Sequence, residues 1–411
     1  MIYRVPRNWI RIKSGDIMLF MVEFPQGPGS EAPTFIQSLE IQRPISVETV
    51  HVIGNRGPCG GVNMAIETTD MVLRMVNGRA PVYTTNEVVH YPEVMNEFME
   101  RGLVLVGSVG EIPDGAITTW SAHGHTPEDD QKAQEKGLIT IDTTCQLVTK
   151  VQNTATRAVE RDEEVIYLGS EKKGVMHPET RSVIGHTQHE IARRQKAGLD
   201  HVGSIHLAQT PEDAESIELA PGQTALLLSQ TTKSRRETGA IRQHLAEKFG
   251  PQLNTSIEAG ICHATNNRQQ ALETYGARED IDGIIVVGDI TLSHNTHELA
   301  RLGESMKPTV ALTSEQELNG LSFSKTNGPK TIALTSGASV PDSAAPFRIL
   351  DWFQKRGARI VYDDPLVDER TESFQKPIVD LLRLAQKMES DYGDPIPDSI
   401  LKMARKKKLI T

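Results

Sequence analysis

The three cysteines of this 411-residue chain constrain its fold more than any other feature. Cys59, Cys145 and Cys262 each end an extended segment, and each precedes a helical pattern. In α/β sheets, ligands bind at the carboxyl ends of the strands, where residues that end a strand come together. We therefore expect the three sulfur atoms to converge on one centre, although they lie far apart along the chain.

From Val50 to about Pro365, strand and helix signals alternate, which favours parallel α/β layers. Besides the strands that end in cysteine, two further kinds of strand each occur three times. They lie at 103–108, 165–170 and 284–289, and at 118–123, 226–232 and 332–339. Their continuous apolar runs suit strands that are buried on both faces. The predicted fold class is α/β, with three similar lobes of small, mainly parallel sheets flanked by helices in a pseudo-threefold trefoil. The alternative is that such triplets arise by chance in any α/β protein.

The same pattern predicts how the chain is divided. The predicted segments are an N-terminal extension at 1–49, lobe 1 at 62–145, lobe 2 at 146–258, lobe 3 at 50–61 and 259–364, and a C-terminal helical tail at 365–411. We interpret the extension as a packing arm or a dimer contact, so a homodimer is one expectation. Apolar residues at helical spacing between Ile378 and Met388 predict a packed helix in the tail.

Charge and cysteine content exclude several classes of protein. A formal net charge of -10 argues against a general nucleic-acid binder. Three cysteines without the spacing of a disulfide framework suit a reducing cytosol. The one apolar run near the N-terminus, 17–22, is too short to span a bilayer. We therefore expect a cytoplasmic protein that binds neither membrane nor nucleic acid.

Three converging thiolates favour a metal centre. Thiolates hold iron–sulfur clusters, and four of them usually hold a four-iron cluster. Three protein ligands would leave one iron open, as catalysis at a metal requires. Zinc would lack a fourth protein ligand, and three unrelated buried thiols are the remaining alternative.

Two further groups of residues suggest the chemistry around such a centre. The turn His177-Pro178-Glu179 could present a carboxyl group whose pKa is raised and which hands over a proton, or it could be a plain surface turn. Polar residues at other strand ends could bind a phosphate or a carboxylate, although each histidine alone is more often structural. These candidates for an anion pocket are His90, His123, Thr231, Ser293, His294, Asn295 and Ser339.

The motifs occur in an order that resembles the LytB/IspH family, the 4-hydroxy-3-methylbut-2-enyl diphosphate reductases of non-mevalonate isoprenoid biosynthesis. The resemblance spans roughly residues 50 to 360. Besides the three cysteine contexts, it is carried by Glu87-Val88-Val89-His90, Ser121-Ala122-His123-Gly124, His177-Pro178-Glu179, Ser229-Gln230-Thr231-Thr232, Cys262-His263-Ala264-Thr265-Asn266-Asn267-Arg268-Gln269 and Ser336-Gly337-Ala338-Ser339.

The resemblance implies an oxidoreductase that carries a 4Fe–4S cluster at the centre of a trefoil. Its ligands would be Cys59, Cys145 and Cys262. Two electrons from an external donor such as ferredoxin or flavodoxin, together with two protons, would remove the allylic hydroxyl of the substrate as water. Glu179 would supply or relay a proton, and Thr231 would help to orient the hydroxyl. The diphosphate would be held by His90, His123, His177, Ser293, His294, Asn295 and Ser339.

The chain departs from the family pattern at several positions. Pro58 and Gly60 flank the first cysteine where the family has Phe and Ala, and Gln146 follows the second where it has Pro. His294 replaces a serine in the family's Ser-Ser-Asn. Two alternatives therefore stay open: a paralogue that deoxygenates or dehydrates another anionic small molecule, and a non-catalytic iron–sulfur redox sensor.

Overall fold

The computed structural model describes residues 9–14, 17–22, 47–199, 202–255, 262–320, 330–369 and 374–410. The strands in these residues are β1 (Trp9–Ser14), β2 (Ile17–Val22), β3 (Thr49–Val52), β4 (Val82–Thr84), β5 (Leu103–Leu105), β6 (Ile117–Trp120), β7 (Ile139–Asp142), β8 (Glu164–Leu168), β9 (Glu171–Lys172), β10 (Val175–Met176), β11 (Ile205–Leu207), β12 (Ala225–Ser229), β13 (Leu253–Asn254), β14 (Gly283–Val287), β15 (Thr309–Leu312), β16 (Thr331–Ser336) and β17 (Arg359–Tyr362).

The helices connect these strands or follow them. They are α1 (Gly60–Val76), α2 (Pro92–Glu100), α3 (Pro127–Glu135), α4 (Gln146–Glu160), α5 (Pro178–Lys196), α6 (Pro211–Ser216), α7 (Arg235–Phe249), α8 (His263–Gly276), α9 (His294–Glu304), α10 (Ala345–Gln354), α11 (Ile378–Tyr392) and α12 (Asp398–Lys406). None of the helices in the described part of the chain is long and apolar enough to cross a bilayer.

The main strands form three parallel sheets, with strand orders β5-β4-β6-β7, β11-β8-β12-β13 and β15-β14-β16-β3-β17. We call them the first, second and third sheets. In the third sheet β3 lies between β16 and β17, and Val50 pairs with Ile332 on one side and Ile360 on the other. The strand before the first cysteine therefore pairs with strands that lie some 280 and 310 residues later in the chain. The predicted α/β class of small parallel sheets flanked by helices is confirmed, whereas the exact lobe boundaries stay a prediction.

The central strands are buried on both faces, as their continuous apolar runs predict. Every residue of β8, β12 and β14 is buried, and so is every residue of β6. Helices pack on the faces of these sheets and separate the hydrophobic core into several clusters. Polar side chains are therefore left mainly at the strand ends, which is where a site can form.

Two short antiparallel pairs accompany the parallel sheets. β1 pairs with β2, and β9 pairs with β10 directly before the turn that leads to Glu179. The rest of the predicted N-terminal extension up to residue 46 lies outside the described residues, so its role as an arm or a dimer contact stays a prediction.

The predicted C-terminal helix exists as α11 and is part of the largest hydrophobic cluster. Leu381 and Leu384 are completely buried, together with residues of the first and third sheets. α12 adds Ile400 and Ala404 to the same cluster. The tail is therefore integrated into the core of the protein.

We expect Leu384→Ala to lower the free energy of unfolding by about 2 to 5 kcal/mol, because it removes buried methyl groups and leaves a cavity. Val379, on the same helix, has half of its side chain exposed and is the matched control. Chemical denaturation of both variants measures the difference. Equal stability of Leu384→Ala and Val379→Ala would show that α11 is only loosely attached.

A candidate metal centre beside a buried carboxyl group

Each cysteine caps the N-terminus of a helix. Cys59 precedes α1, Cys145 precedes α4 and Cys262 precedes α8, each with an extended backbone. Backbone N–H groups in the first turns of α4 and α8 bind the sulfur atoms of Cys145 and Cys262 and oppose the rise of their pKa. Helix N-termini carry partial positive charge, which stabilises thiolates and anionic metal groups. The extended segment predicted before Cys262 falls at 256–261, outside the described residues.

The backbone N–H of each cysteine is bound to a polar strand end. Cys145 donates to the carbonyl of Ala122 at 3.0 Å and Cys262 to that of Thr231 at 3.1 Å. Cys59 makes the equivalent, longer bond to Ala338 at 3.4 Å. These three acceptors belong to the three polar strand ends that the sequence pattern picks out. The same local arrangement therefore recurs once for each cysteine.

The three thiols are close enough to influence one another electrostatically. A Cβ atom added at Gly61, in the first turn of α1, would lie 2.5 Å from the Sγ of Cys145. Burial, followed by the charge of Cys59, raises the pKa of Cys145 and of Cys262. The cysteines form no disulfide. Neighbouring thiolates repel each other unless a cation compensates them, so this set of donors fits a metal group with thiolate ligands.

Glu179 is fully buried at the start of α5. Its carboxyl oxygens accept two bonds from Thr231, one from the backbone N–H and one from the hydroxyl, both at 2.7 Å. The Tyr167 hydroxyl lies 3.5 Å from the same carboxyl group. Burial raises the pKa of Glu179 to about 7, and the bonds from Thr231 oppose that rise. The carboxyl group can therefore be protonated near neutral pH, as a proton donor requires.

Three histidines form a cluster next to this carboxyl group. His177 caps α5, and its Nδ1 accepts the backbone N–H of Glu179 at 3.2 Å. The rings of His90 and His123 stack with centroids 4.5 Å apart, and His177 meets the ring of His123 edge-on at 5.0 Å. Burial lowers the pKa of His177 to about 3 and that of His123 well below its usual value. Both rings are therefore neutral at physiological pH.

Two buried polar atoms in this region have no hydrogen-bond partner among the described residues. They are Nε2 of His90 and Nδ2 of Asn295. The other ring nitrogen of His90 is bound to Glu87 at 2.9 Å, which orients the ring. A buried polar group without a partner costs free energy. Both groups are therefore suited to bind a ligand.

Ser293, Asn295 and Ser339 line the adjacent wall. Ser293 caps α9, and its hydroxyl lies 3.4 Å from that of Ser339, which donates to the carbonyl of His90 at 3.3 Å. Asn295 accepts the N–H of Ala338 at 2.9 Å. Segments that follow strands of the first and third sheets therefore meet here.

His294 lies in this region but is bound to an acidic residue. Its Nε2 lies 2.5 Å from a carboxylate oxygen of Glu237 in α7, whose side chain is largely buried. Burial opposes ionisation of Glu237, but the hydrogen bond from His294 and those from Ser234 lower its pKa overall. Sequence reasoning missed Glu237 as a partner, although Ser234 and Glu237 have the spacing of a capping box, which they form.

Sequence reasoning also missed Lys233, which follows the polar strand end at Thr231 and Thr232. Its pKa is lowered by burial, and its charge contributes to the low pKa of His177. Lys233 therefore places a cation near the histidine cluster. A lysine directly after that strand end is the signal that could have identified it.

Comparison with known proteins gives one consistent family. The family model described as LytB protein matches residues 50–346. The chain is 32% identical to 4-hydroxy-3-methylbut-2-enyl diphosphate reductase of Rhodopirellula baltica over 322 residues, 78% of this chain and 92% of that protein. It is 34% identical to the enzyme of the same name from Streptomyces coelicolor over 309 residues, 74% of this chain and 82% of that protein. The structure of E-1-hydroxy-2-methyl-but-2-enyl-4-diphosphate reductase from Plasmodium falciparum superposes with a TM-score of 0.71 at 26% identity, covering 83% of this chain and 99% of that chain.

The buried Glu179 carboxyl group makes the stability of the protein depend on pH. Because its pKa is higher in the folded state than the ordinary 4.5, the folded protein holds a proton that the unfolded chain releases. Its contribution therefore destabilises the fold as pH rises from 4.5 to about 7, by about 3 kcal/mol in total. We expect Glu179→Gln to remove this slope, measured by chemical denaturation across that range. Superimposable profiles of the two proteins would contradict the assignment.

Proposed function

The chain belongs to the LytB family, and from this we propose that it is a 4-hydroxy-3-methylbut-2-enyl diphosphate reductase. The enzyme would remove the allylic hydroxyl of this substrate and form isopentenyl and dimethylallyl diphosphate, consuming two electrons and two protons and releasing water. One observation carries the proposal. Thr231 binds Glu179 through its N–H and its hydroxyl, and its carbonyl accepts the N–H of Cys262. One residue thus connects the proton donor to a candidate cluster ligand.

We propose that Cys59, Cys145 and Cys262 hold a 4Fe–4S cluster. The fit is supported by three free thiols at three helix N-termini, by the effect of Cys59 on the pKa of Cys145 and of Cys262, and by the space that Gly61 leaves for the sulfur of Cys145. When bound, such a cluster supplies electrons and an iron without a protein ligand.

Glu179 and Thr231 would perform the proton chemistry. Glu179 donates a proton to the departing hydroxyl, which leaves as water, and Thr231 orients the carboxyl group. Burial raises the pKa of Tyr167 well above its usual value, so its hydroxyl stays neutral and can only donate or accept a hydrogen bond. Because the site is buried, little water can reach Glu179 and take up its proton in place of the substrate hydroxyl.

The diphosphate would bind at the histidine cluster and the wall formed by Ser293, Asn295 and Ser339. Neutral imidazoles such as that of His177 can donate an N–H group, and the side-chain NH₂ of Asn295, which has no partner among the described residues, can donate a further bond. The N-terminus of α9, capped by Ser293, favours negative charge. Lys233 adds the formal positive charge that neutral imidazoles lack.

The two electrons of each turnover must come from outside the chain. A one-electron carrier protein such as ferredoxin or flavodoxin fits this requirement, and delivers them in two steps. We also propose that the protein forms a homodimer through its N-terminal extension.

The second candidate function is a paralogue that acts on a different anionic small molecule. The contact between His294 and Glu237 favours it, because His294 stands where the family has a serine. A ring held by a carboxylate at 2.5 Å cannot turn into the pocket and replace that hydroxyl without breaking this bond. Product analysis distinguishes the two functions: cluster-loaded protein that yields no alkene diphosphate supports the paralogue.

The direct test is anaerobic turnover of 4-hydroxy-3-methylbut-2-enyl diphosphate with a strong reductant. We expect both alkene diphosphates as products, and a kcat/KM that falls as pH rises above about 7, because Glu179 then loses its proton. Glu179→Gln should lower kcat about 10²- to 10⁴-fold, since general acid catalysis contributes that much. Iron content measured in parallel should be unchanged. Full turnover by Glu179→Gln would exclude the proposed proton donor and favour a sensor.

Each of Cys59→Ser, Cys145→Ser and Cys262→Ser should lose iron, because a cluster held by three ligands cannot spare one. Iron and acid-labile sulfide per chain, measured after anaerobic reconstitution, check this. Thr149→Ser, one turn into α4 on its exposed side, is the control and should bind iron normally. Normal iron loading of any cysteine variant would remove that residue from the ligand set.

A further inference from the structure

We call the turns that carry Cys59, Cys145 and Cys262, each with the start of the helix that follows it, the first, second and third arms. We propose that the segment after β17 is a clamp that fixes these three arms in place, with Phe374 and Glu369 as positioning residues. The C-terminal clamp is defined as residues 363–369 and 374–380. The proposal rests on the proposed function insofar as the arms hold a cluster. The clamp lies beyond residues 50–346, which the family model matches.

The clamp is bound to the turn that carries Cys59. Asn55 donates through its side chain to the carbonyl of Val367 at 2.8 Å and accepts the N–H of Val367 at 3.1 Å. Asp363 binds His51 of β3 at 2.8 Å. At Gly54 the two segments are so close that an added Cβ would lie 2.3 Å from the nitrogen of Pro365. The first arm is therefore paired with the clamp along its length.

Phe374 packs directly after Cys59. A Cβ atom added at Gly60 would lie 2.1 Å from Cδ2 of the Phe374 ring, and one at Gly61 would lie 3.8 Å from its Cε1. The same Gly61 position is 2.5 Å from the sulfur of Cys145. The ring thus covers the start of α1, where the first two arms meet. A residue larger than glycine at position 60 would therefore displace this ring.

Glu369 joins the first arm to the third. Arg268 of α8 is almost completely buried and donates to the carbonyl of Gly57 at 3.0 and 2.8 Å. Glu369 pairs with this guanidinium at 3.2 Å and also accepts the side chain of Asn267 at 2.9 Å. A buried charge needs a partner, so Glu369 stabilises the link that Arg268 makes between the arms of Cys262 and Cys59.

The second arm is bound at the far end of the clamp. Asp380 of α11 accepts the backbone N–H of Asp142, the last residue of β7 and three positions before Cys145, at 3.3 Å. Lys376 pairs with Glu67 of α1. The clamp therefore contacts all three arms, and it does so outside the pocket in which Glu179 lies.

The test is a double-mutant cycle of Gly60→Ala and Phe374→Ala, with the rate of Cys59 alkylation by iodoacetamide in the metal-free protein as the readout. Phe374→Ala uncovers the turn and should raise the rate severalfold. Gly60→Ala alone should also raise it, because the added methyl group displaces the ring. In the Phe374→Ala background Gly60→Ala should add little, since the conflict no longer exists. Phe347→Ala, an exposed phenylalanine on α10, is the control and should change nothing.

A second readout is the half-life of the reconstituted cluster in air. Phe374→Ala and Glu369→Gln should each shorten this half-life severalfold. Phe374→Leu should keep most of the wild-type half-life. Two outcomes would overturn the clamp. One is that the effects of Gly60→Ala and Phe374→Ala on the alkylation rate are additive. The other is that Phe374→Ala has the same alkylation rate and the same cluster half-life as the wild type. If Gly60→Ala fails to fold, the comparison of Phe374→Ala with Phe374→Leu still decides. Wild-type protein that binds no iron but shows coupled alkylation would refute the proposed function and leave the clamp standing.

Discussion

The hydrogen bonds of Thr231 are the interaction on which the arrangement of the site depends. The residue lies two positions after the central strand β12 of the second sheet, so its backbone position is set by a fully buried strand. From there it binds Glu179 of α5 with two groups and Cys262 with a third. A movement of this strand end would therefore displace the acid and one thiol together. Hydrogen bonds to a buried carboxyl group are costly to leave unmade, so the connection is also stable.

One physical cause, exclusion of water, has opposite consequences for the groups around Thr231. It disfavours the charged form of every titratable group. The pKa of Glu179 therefore rises toward neutrality, whereas those of His123 and His177 fall. The result is a carboxyl group that can hold a proton beside imidazoles that carry none. Such a pocket can deliver a proton and bind an anion through hydrogen bonds, with Lys233 as the cation near the histidine cluster.

The sequence predicts those parts of the site that local pattern determines. Cys59 and Cys145 each lie between a strand signal and a helix signal, so their positions at helix starts follow from their neighbours. The contacts of Arg268 with Glu369 and of His294 with Glu237 join residues 101 and 57 positions apart, and no local pattern encodes them. The helical tail was predictable from its apolar spacing, but its contact with the Cys59 turn was not, because Gly60 alone does not reveal which atoms occupy the space beside it.

The burial that raises the pKa of Glu179 also raises the pKa of Cys145 and of Cys262, which makes these thiols poor ligands before a metal binds. Burial and the charge of Cys59 raise the pKa of Cys145 and Cys262, which favours the protonated form of these thiols. Metal binding must release these protons, and its free energy must compensate for bringing thiolates together. If the arms were free to separate, the thiolates would move apart and reduce their repulsion. Metal binding would then also have to supply the free energy that brings the arms together. Contacts that hold the arms from outside, such as the pairing of Arg268 with Glu369, reduce that part of the cost. Rigid support behind the cysteines would therefore lower the free energy needed to assemble the proposed centre with three protein ligands.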